Sequence, residues 1–525
     1  MMIQSKIMKI SDLRDFETWL DSFLNFEKLT QKNLFWLDTM QLLCMQSGNP
    51  ELSSPSIHVA GSKGKGSISV MISSILKKAG FKTGLYTSPH IMNFTERITE
   101  SNKPFKNEIY LSAANKLINI IEENEKAVRS QPARPVTWFE LVTLFAFLCF
   151  KEAGTDFNVF EVGLGGRLDA TNVIKPEICC IGPIESEHTE YLGDTLQKIA
   201  AEKGGIIKEN TPVIVAEQEK SVKDVFRQIA RQKNAPLLFI DEAVTEIKTE
   251  YIAFDSIDFD FTKNEKDVLD CSKKDTADNE REFNDCLKNH NPANDSGKKD
   301  NVSRSDETSD FHPDLMKIEI SSPVFKRKLK TTLKLPGEFQ AENAALSAIA
   351  VKIILPQIDE SIIEAGLSDA YIQARFEIIK TVNKFRQIKA LVLDGAHTVK
   401  SVTNTIQTYK KIFCSTTQKE KNPQNPKKPI LLFACAQDKD ARDIAVLFND
   451  FAEKIFLTIP GAAKTADLQN LKEAFSSAGL KFSASDDFKS QIQSALSEAE
   501  KEKTVLLVTG SFYLIAEVKK ILLCL

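Results

Sequence analysis

The 525-residue chain reads as an α/β protein with parallel sheets, a larger unit of residues 1–370 followed by a smaller one of residues 371–525. Three observations predict this. Short apolar runs of strand length alternate with helix-length amphipathic or alanine-rich runs, the order that gives parallel sheets. The chain is too long for a single core, and its 42% hydrophobic content is ample for more than one. Chemically suggestive residues fall repeatedly just after the strands, where open α/β sheets place ligands.

Composition narrows the function. A net charge of −4 provides no overall basic field for nucleic acid or an anionic membrane. The nine cysteines show no CxxC or Cys/His ligand spacing and read as reduced core residues, with Cys179 and Cys180 inside an apolar strand. The N-terminus has no signal-type apolar region, and the longest apolar run, residues 139–150, is too short to cross a bilayer. The expectation is a soluble cytoplasmic protein with neither nucleic-acid nor membrane partners.

Residues 11–43 predict two amphipathic helices, with Phe16, Trp19, Leu20, Phe23 and Phe26 as a core stripe. Next comes His58-Val-Ala-Gly-Ser-Lys-Gly-Lys-Gly-Ser67, between a strand start at Ile57 and Val59 and a helix over 68–79. Gly61, Gly64 and Gly66 let the backbone turn tightly and present N–H groups to a phosphate. Lys65 supplies a point charge, and the following helix adds its positive end. The spacing departs from Walker A, since Val59 stands where a glycine is usual and Ser67 follows Lys65 by two positions. A glycine-rich turn with two solvated lysines fits the same pattern.

A second strand within 81–90 brings Ser88 and His90 to its carboxyl end, with Phe94, Glu96 and Arg97 on the loop beyond. Helices over 107–127 and 138–153 lead to a strand at 157–162, where Glu161 interrupts an apolar run. A buried carboxylate needs a cation or donors; Arg167, in the glycine-rich turn that follows, is one candidate partner. After a strand at 178–181, His188 lies beyond another terminus. Ser88, Glu161 and His188 thus share one predicted sheet edge beside the glycine loop, and hard oxygens with an imidazole and ATP phosphates suit Mg²⁺. A helix over 196–207 contains Lys203, which by itself passes as a solvated face. Strands at 211–215 and 236–240 follow. Residues 262–312 are so polar that they predict a disordered insertion. Beyond Leu335-Pro-Gly337 an alanine-rich helix carries Asn343, and a linker is expected near Ser368. Strands at 390–394, 430–435, 454–459 and 504–508 make up the smaller unit. Asp394 ends the first of them, as a functional group or a helix cap.

These motifs together resemble the folylpolyglutamate synthase and dihydrofolate synthase family of the Mur ligase superfamily. The matching stretches are Gly61-Ser-Lys-Gly-Lys-Gly-Ser67, Tyr86-Thr-Ser-Pro-His90, Glu161-Val-Gly-Leu-Gly-Gly-Arg-Leu-Asp-Ala-Thr-Asn172, His188-Thr-Glu-Tyr-Leu-Gly193 and Ala201-Glu-Lys-Gly-Gly-Ile206. Asn343, Arg375-Phe376, Asp394-Gly-Ala-His397 and Thr509-Gly-Ser511 complete the set in the family's order. The resemblance implies a P-loop-type Mur ligase central domain and a second, smaller Rossmann-like domain. It implies that Gly61, Ser62, Lys63, Gly64, Lys65, Gly66 and Ser67 hold ATP phosphates, with Asn343, Arg375 and Asp394 as further ATP contacts. Ser88, Glu161 and His188 match Mg²⁺ ligands, two ions being expected. Lys203 matches a lysine that is carbamylated in the family, His397 a histidine beside the nucleotide contacts, and Thr137 and Leu168 the place of the pterin-bearing substrate. Lys65, Lys203 and His397 are therefore the implied catalytic residues.

The implied activity is that of a monomeric ligase adding L-glutamate to a folate, and to dihydropteroate in bifunctional members, through an acyl phosphate. Departures from the family pattern are Ser62-Lys63 for Thr-Asn, Glu187 for Asp, Thr398-Val399 for Asn-Pro, and only a loose match at residues 33–38 to the dihydropteroate segment. Two other readings share part of this pattern. Cell-wall precursor ligases of the superfamily usually have Ser or Thr directly after the loop lysine, where this chain has Gly66. A non-catalytic nucleotide-binding regulator predicts loss of the metal ligands or of Arg375 and Asp394, all of which are present.

Overall fold

The computed structural model describes residues 10–23, 25, 37–128, 136–187, 189–257, 312–380, 382, 384–414, 427–437, 439–461 and 466–523. The chain divides into two compact units.

The first unit is built on a sheet of β1 (Ser56–Ala60), β2 (Thr83–Tyr86), β3 (Ile98–Glu100), β4 (Lys103–Pro104), β5 (Phe157–Glu161), β6 (Pro176–Ile181), β7 (Val213–Val215) and β8 (Leu237–Phe239). Their spatial order is β4-β3-β2-β5-β1-β6-β7-β8. The strands from β2 across to β8 pair in parallel, and β3 and β4 form an antiparallel margin. That margin was not anticipated: its strands are too short to show a period, and Ser101 and Asn102 turn the chain between them in the left-handed region. β1 is central and buried along its whole length, its polar Ser56 and His58 included. In register, Val59 lies opposite Glu161 and Ala60 opposite Ile181. The glycine loop therefore leaves the sheet directly beside Glu161.

One face is covered by the helix Trp138–Ala153, whose buried Phe145, Phe147 and Phe150 share a core with Phe16 and Leu20 of the helix Leu13–Leu20. A second N-terminal helix runs Asp38–Gln46, and Phe26 lies outside the described residues. The helix Lys65–Lys78 begins three residues before the expected start, because Gly64 at φ 79° turns the loop straight into it. The expected linker near Ser368 is instead the last turn of a helix, Glu360–Asp369. A Cβ at Gly366 would stand 2.4 Å from Ile75 Cα, so glycine there permits the close approach of this helix to Lys65–Lys78. A three-stranded sheet of β9 (Glu246–Tyr251), β10 (Met316–Ser321) and β11 (Leu329–Leu333) was also unforeseen. β9 and β10 are separated by residues 258–311, which lie outside the described residues, as does the predicted insertion except for His312, whereas β10 and β11 form an antiparallel pair joined by residues 322–328.

The second unit carries β12 (Glu377–Ile379), β13 (Ala390–Asp394), β14 (Ile430–Phe433), β15 (Lys454–Leu457), β16 (Ser483–Ala484) and β17 (Val505–Thr509) in the order β12-β13-β17-β14-β15-β16. All pair in parallel except β12, which runs antiparallel to β13. Its division from the first unit differs from a single boundary after residue 370: residues 251–257 and 312–315 group with it, as do those from Gln373 onward. The reason is packing, since Phe254 lies 4.8 Å from Phe413, centroid to centroid, and Ile252 N–H donates to Leu315 O. The described cysteines are free thiols, five of them buried. Among the described residues no helix is long and apolar enough to cross a membrane.

Candidate active site

In the first unit the site grows from the carboxyl ends of β1, β5 and β6. Gly61, at φ 143°, leaves β1 so close to β6 that a Cβ there would lie 3.0 Å from the backbone of Gly182 and from Lys63 O. Ser62 and Lys63 do not turn both N–H groups inward as expected. Each donates to Pro183 O, at 2.9 and 3.3 Å, which pins the loop to the segment after β6. The N–H groups left for an anion are those of Lys65, Gly66 and Ser67 in the helix's first turn, where no carbonyl one turn back can serve them. Asn343, nearly 280 residues further on, packs against this turn. A Cβ at Gly64 would stand 2.7 Å from its Oδ1, and its Nδ2 donates to Gln340 Oε1.

Three lysines gather on the loop. Lys65 Nζ folds back to donate to Gly61 O at 3.0 Å. Lys203 Nζ donates to the same carbonyl at 2.9 Å and to Glu187 Oε1 at 2.9 Å. Lys63 Nζ stands 3.9 Å from Glu187 Oε2. Lys203 is thus no solvated helical lysine: its side chain is 2% exposed. Burial, and then repulsion from Lys65, pulls its ammonium down to about 8 against the attraction of Glu187. Burial pushes Glu187 up, but Lys65 and Lys203, with Lys63 beyond them, outweigh it and hold the carboxyl below the usual range. Three lysines gathered at a helix N-terminus suit a polyanion. Glu187 was read from the sequence only as a departure from Asp; nothing local signals that it meets Lys203.

Glu161, 4% exposed at the end of β5, accepts the Ser88 N–H at 3.1 Å through Oε2. A Cβ on Gly66 would lie 3.6 Å from that oxygen, so the carboxylate borders the loop. Arg167 pairs with Glu202 at 2.9 Å, the partner Glu161 was offered from sequence. His188 lies outside the described residues, and among the described residues no cluster of three His, Cys, Asp or Glu forms a metal cage. Thr137 spends its polar atoms on capping the helix Trp138–Ala153, exchanging hydrogen bonds with Glu140. Leu168 is half-buried, in the loop that Asp169 ties back by accepting the Gly163 and Leu164 N–H groups.

The second unit brings its own residues together at the ends of β13 and β17. Arg375 lies with its guanidinium carbon 4.7 Å from the Phe512 ring centroid. Asp394 accepts the Ala396 N–H at 2.8 Å. Burial pushes its carboxyl up to about 6, against the pull of Arg375 and of neighbouring backbone donors. His397 is anchored through Nδ1 to Gly395 O at 2.8 Å, with the Phe512 ring 6.1 Å away. Thr398 takes over the cap of the next helix, Val399–Phe413.

Comparison with known proteins finds two matching regions. A family model described as the Mur ligase middle domain matches residues 59–274, and one described as Mur ligase, glutamate ligase domain matches residues 374–512. The dihydrofolate synthase/folylpolyglutamate synthase of Bacillus subtilis is 27% identical over 492 residues, 92% of this chain and 94% of that relative. The mitochondrial folylpolyglutamate synthase of Cricetulus griseus is 40% identical over 182 residues, 34% of this chain and 30% of that relative. The fold matches that of Mycobacterium tuberculosis folylpolyglutamate synthase complexed with ADP and AMPPCP, with 22% identity, a TM-score of 0.73 and coverage of 98% and 99% of the two chains. With the two Mur ligase regions in sequence order and a relative aligned over nearly its whole length, this chain belongs to the folylpolyglutamate synthase family and is an ATP-dependent ligase of glutamate in folate metabolism.

Proposed function

We propose that this enzyme, acting as a cytoplasmic monomer, joins the amine of L-glutamate to a carboxylate of a reduced folate by way of an acyl phosphate. The observation that supports this most is the gathering of Lys63, Lys65 and Lys203 around Glu187 at the start of the helix Lys65–Lys78. A substrate carboxylate attacks the γ-phosphorus of ATP, forming the acyl phosphate and ADP. The glutamate amine then attacks the acyl carbon, and phosphate leaves. Neither step needs a nucleophilic side chain. The protein's part is to neutralise charge, align the reactants and keep water out. Lys65 and the first-turn N–H groups hold the outer phosphates, with Ser62, Lys63, Gly64 and Asn343 shaping the loop. Arg375 and Asp394 contact the nucleotide from the second unit, and His397 stands beside them. Thr137 and Leu168 border the folate.

The residues fit Mg²⁺. Glu161 is a buried carboxylate at a strand end beside the loop, Ser88 adds a hydroxyl next to it, and both are hard oxygen donors, with His188 as the third member of the set. The ion's contribution there is neutralisation of phosphate charge. Carbamylated Lys203 would provide oxygens for a second ion. Its buried amine, with a pKa of about 8, is substantially neutral near that pH. The neutral nitrogen can bond to CO₂ and release a proton, leaving Lys63 and Lys65 to balance Glu187.

Dihydropteroate is a second acceptor to weigh, since the aligned Bacillus subtilis relative carries both synthase names. The test is ATP-dependent incorporation of labelled glutamate with tetrahydrofolate and dihydropteroate as parallel acceptors. Incorporation into tetrahydrofolate is expected. Failure with both acceptors, by folded protein supplied with Mg²⁺ and bicarbonate, would remove the proposal.

A further inference from the structure

Arg375 sits on a backbone that L-residues rarely adopt. Its neighbours Ala374 and Phe376 both have left-handed φ angles, 57° and 52°, and neither is glycine. Such residues persist only where the surroundings hold them. The loop shows what does so. Glu377, 5% exposed, accepts the Ala374 N–H at 2.9 Å through Oε2 and is bonded at 2.8 Å through Oε1 to Lys519 Nζ. Lys519 Nζ also donates to Gln373 Oε1 at 2.8 Å. One ammonium thus ties both ends of the five-residue segment 373–377. Ala374 O accepts the Gly395 N–H at 2.9 Å, fastening the middle to the end of β13.

Lys519 and Phe512 stand seven residues apart on one helix, Phe512–Leu523, and so on one face of it. Phe512 lies under the Arg375 guanidinium, and Lys519 holds the loop two turns away. Gly395 makes room for this: a Cβ there would come within 2.2 Å of the Phe512 ring.

We infer that Lys519 and Glu377 are positioning residues for nucleotide binding, a part-buried ion pair that holds the 373–377 loop in its strained form so that Arg375 is presented on Phe512. The inference rests on the reading of Arg375 as an ATP contact. It gives a reason for placing a charged pair where the Glu377 carboxylate is buried, since well-packed apolar side chains usually stabilise such a place as well.

The test uses the full chain with AMPPCP binding, steady-state KM for ATP and for tetrahydrofolate, and thermal midpoint, measured in parallel. Lys519→Met and Glu377→Gln should each weaken AMPPCP by about tenfold and raise the ATP KM similarly, with the tetrahydrofolate KM unchanged. The double variant should be no worse than the worse single one, because the residues act as a unit. Lys519→Arg, which keeps the charge, should restore most of the affinity. Glu377→Gln preserves shape and decides the matter if Lys519→Met fails to fold. Arg375→Ala separates the two ideas. If it weakens AMPPCP while folded Lys519→Met and Glu377→Gln bind normally, the positioning role is wrong and the nucleotide contact stands. If Arg375→Ala binds AMPPCP normally, the contact itself is wrong and the inference falls with it.

Discussion

The phosphate loop and the arginine loop solve related problems by opposite means. Around residues 61–67 the backbone conformations are cheap, because glycine occupies Gly61 and Gly64 at positive φ. The difficulty there is charge: Lys63, Lys65 and Lys203 crowd together around Glu187. Around residues 373–377 the charges are paired, and the backbone is what is costly. Ala374 and Phe376 hold left-handed conformations without glycine, each at roughly 1–3 kcal/mol. A site of crowded cations is relieved when an anion arrives. A strained site is already spent on shape before any ligand binds. The first region should therefore govern turnover, and the second should govern affinity.

The largest effect is expected from Glu161→Ala. It removes the buried carboxylate beside the loop and should cut turnover by about three orders of magnitude, with AMPPCP affinity much less changed. Near-normal ligation at saturating Mg²⁺ would show that Glu161 only holds the Ser88 backbone.

Lys203 sharpens the same side of the comparison. Lys203→Ala should lower turnover by about a hundredfold, and acetate should restore part of it by filling the vacated space with a carboxylate. Lys203→Arg should do no better than alanine, because guanidinium keeps its charge and is not carbamylated. An active arginine variant, or absence of rescue in a folded alanine variant, would mean that Lys203 works as an ammonium paired with Glu187.

The smallest effect belongs to the second region and is read through pH. Burial lifts the Asp394 carboxyl to about 6, above its ordinary value of roughly 4. The folded state therefore holds a proton there that the unfolded chain has already released. Between those two values the contribution of Asp394 to stability falls as pH rises, and above about 6 it levels off. Asp394→Asn should flatten that part of the thermal-midpoint profile relative to the parent. Parallel profiles would indicate that Asp394 ionises normally, held by Arg375 more strongly than burial opposes it.

Much of this was legible in the residues alone, for a physical reason. Glycine spacing, strand-length apolar runs and a lone Glu161 inside one of them are local features, set by backbone sterics and by the cost of burying charge. They gave most of the parallel strands, the position of the glycine loop and the list of residues at the strand ends, but not the spatial order of the strands. The family resemblance then supplied their roles. The three-stranded sheet of β9, β10 and β11 was missed because β9 is joined to β10 only through a long polar stretch, which leaves no periodic trace, and the short antiparallel pair β10–β11 beyond it went unread.

Tertiary structure decided the contacts that turn the list into a site. Lys203 looked like a surface helical lysine until the fold placed it under Gly61 O beside Glu187. Asn343 met Gly64, Pro183 O took two loop N–H groups, and Arg167 went to Glu202 instead of Glu161. Lys519 reached back more than 140 residues to fasten the loop that carries Arg375. Each of these joins residues far apart in sequence, and each depends on ångström-scale complementarity between surfaces that only folding creates. Sequence determined which groups stand at the strand ends, and the folded chain determined which of them touch.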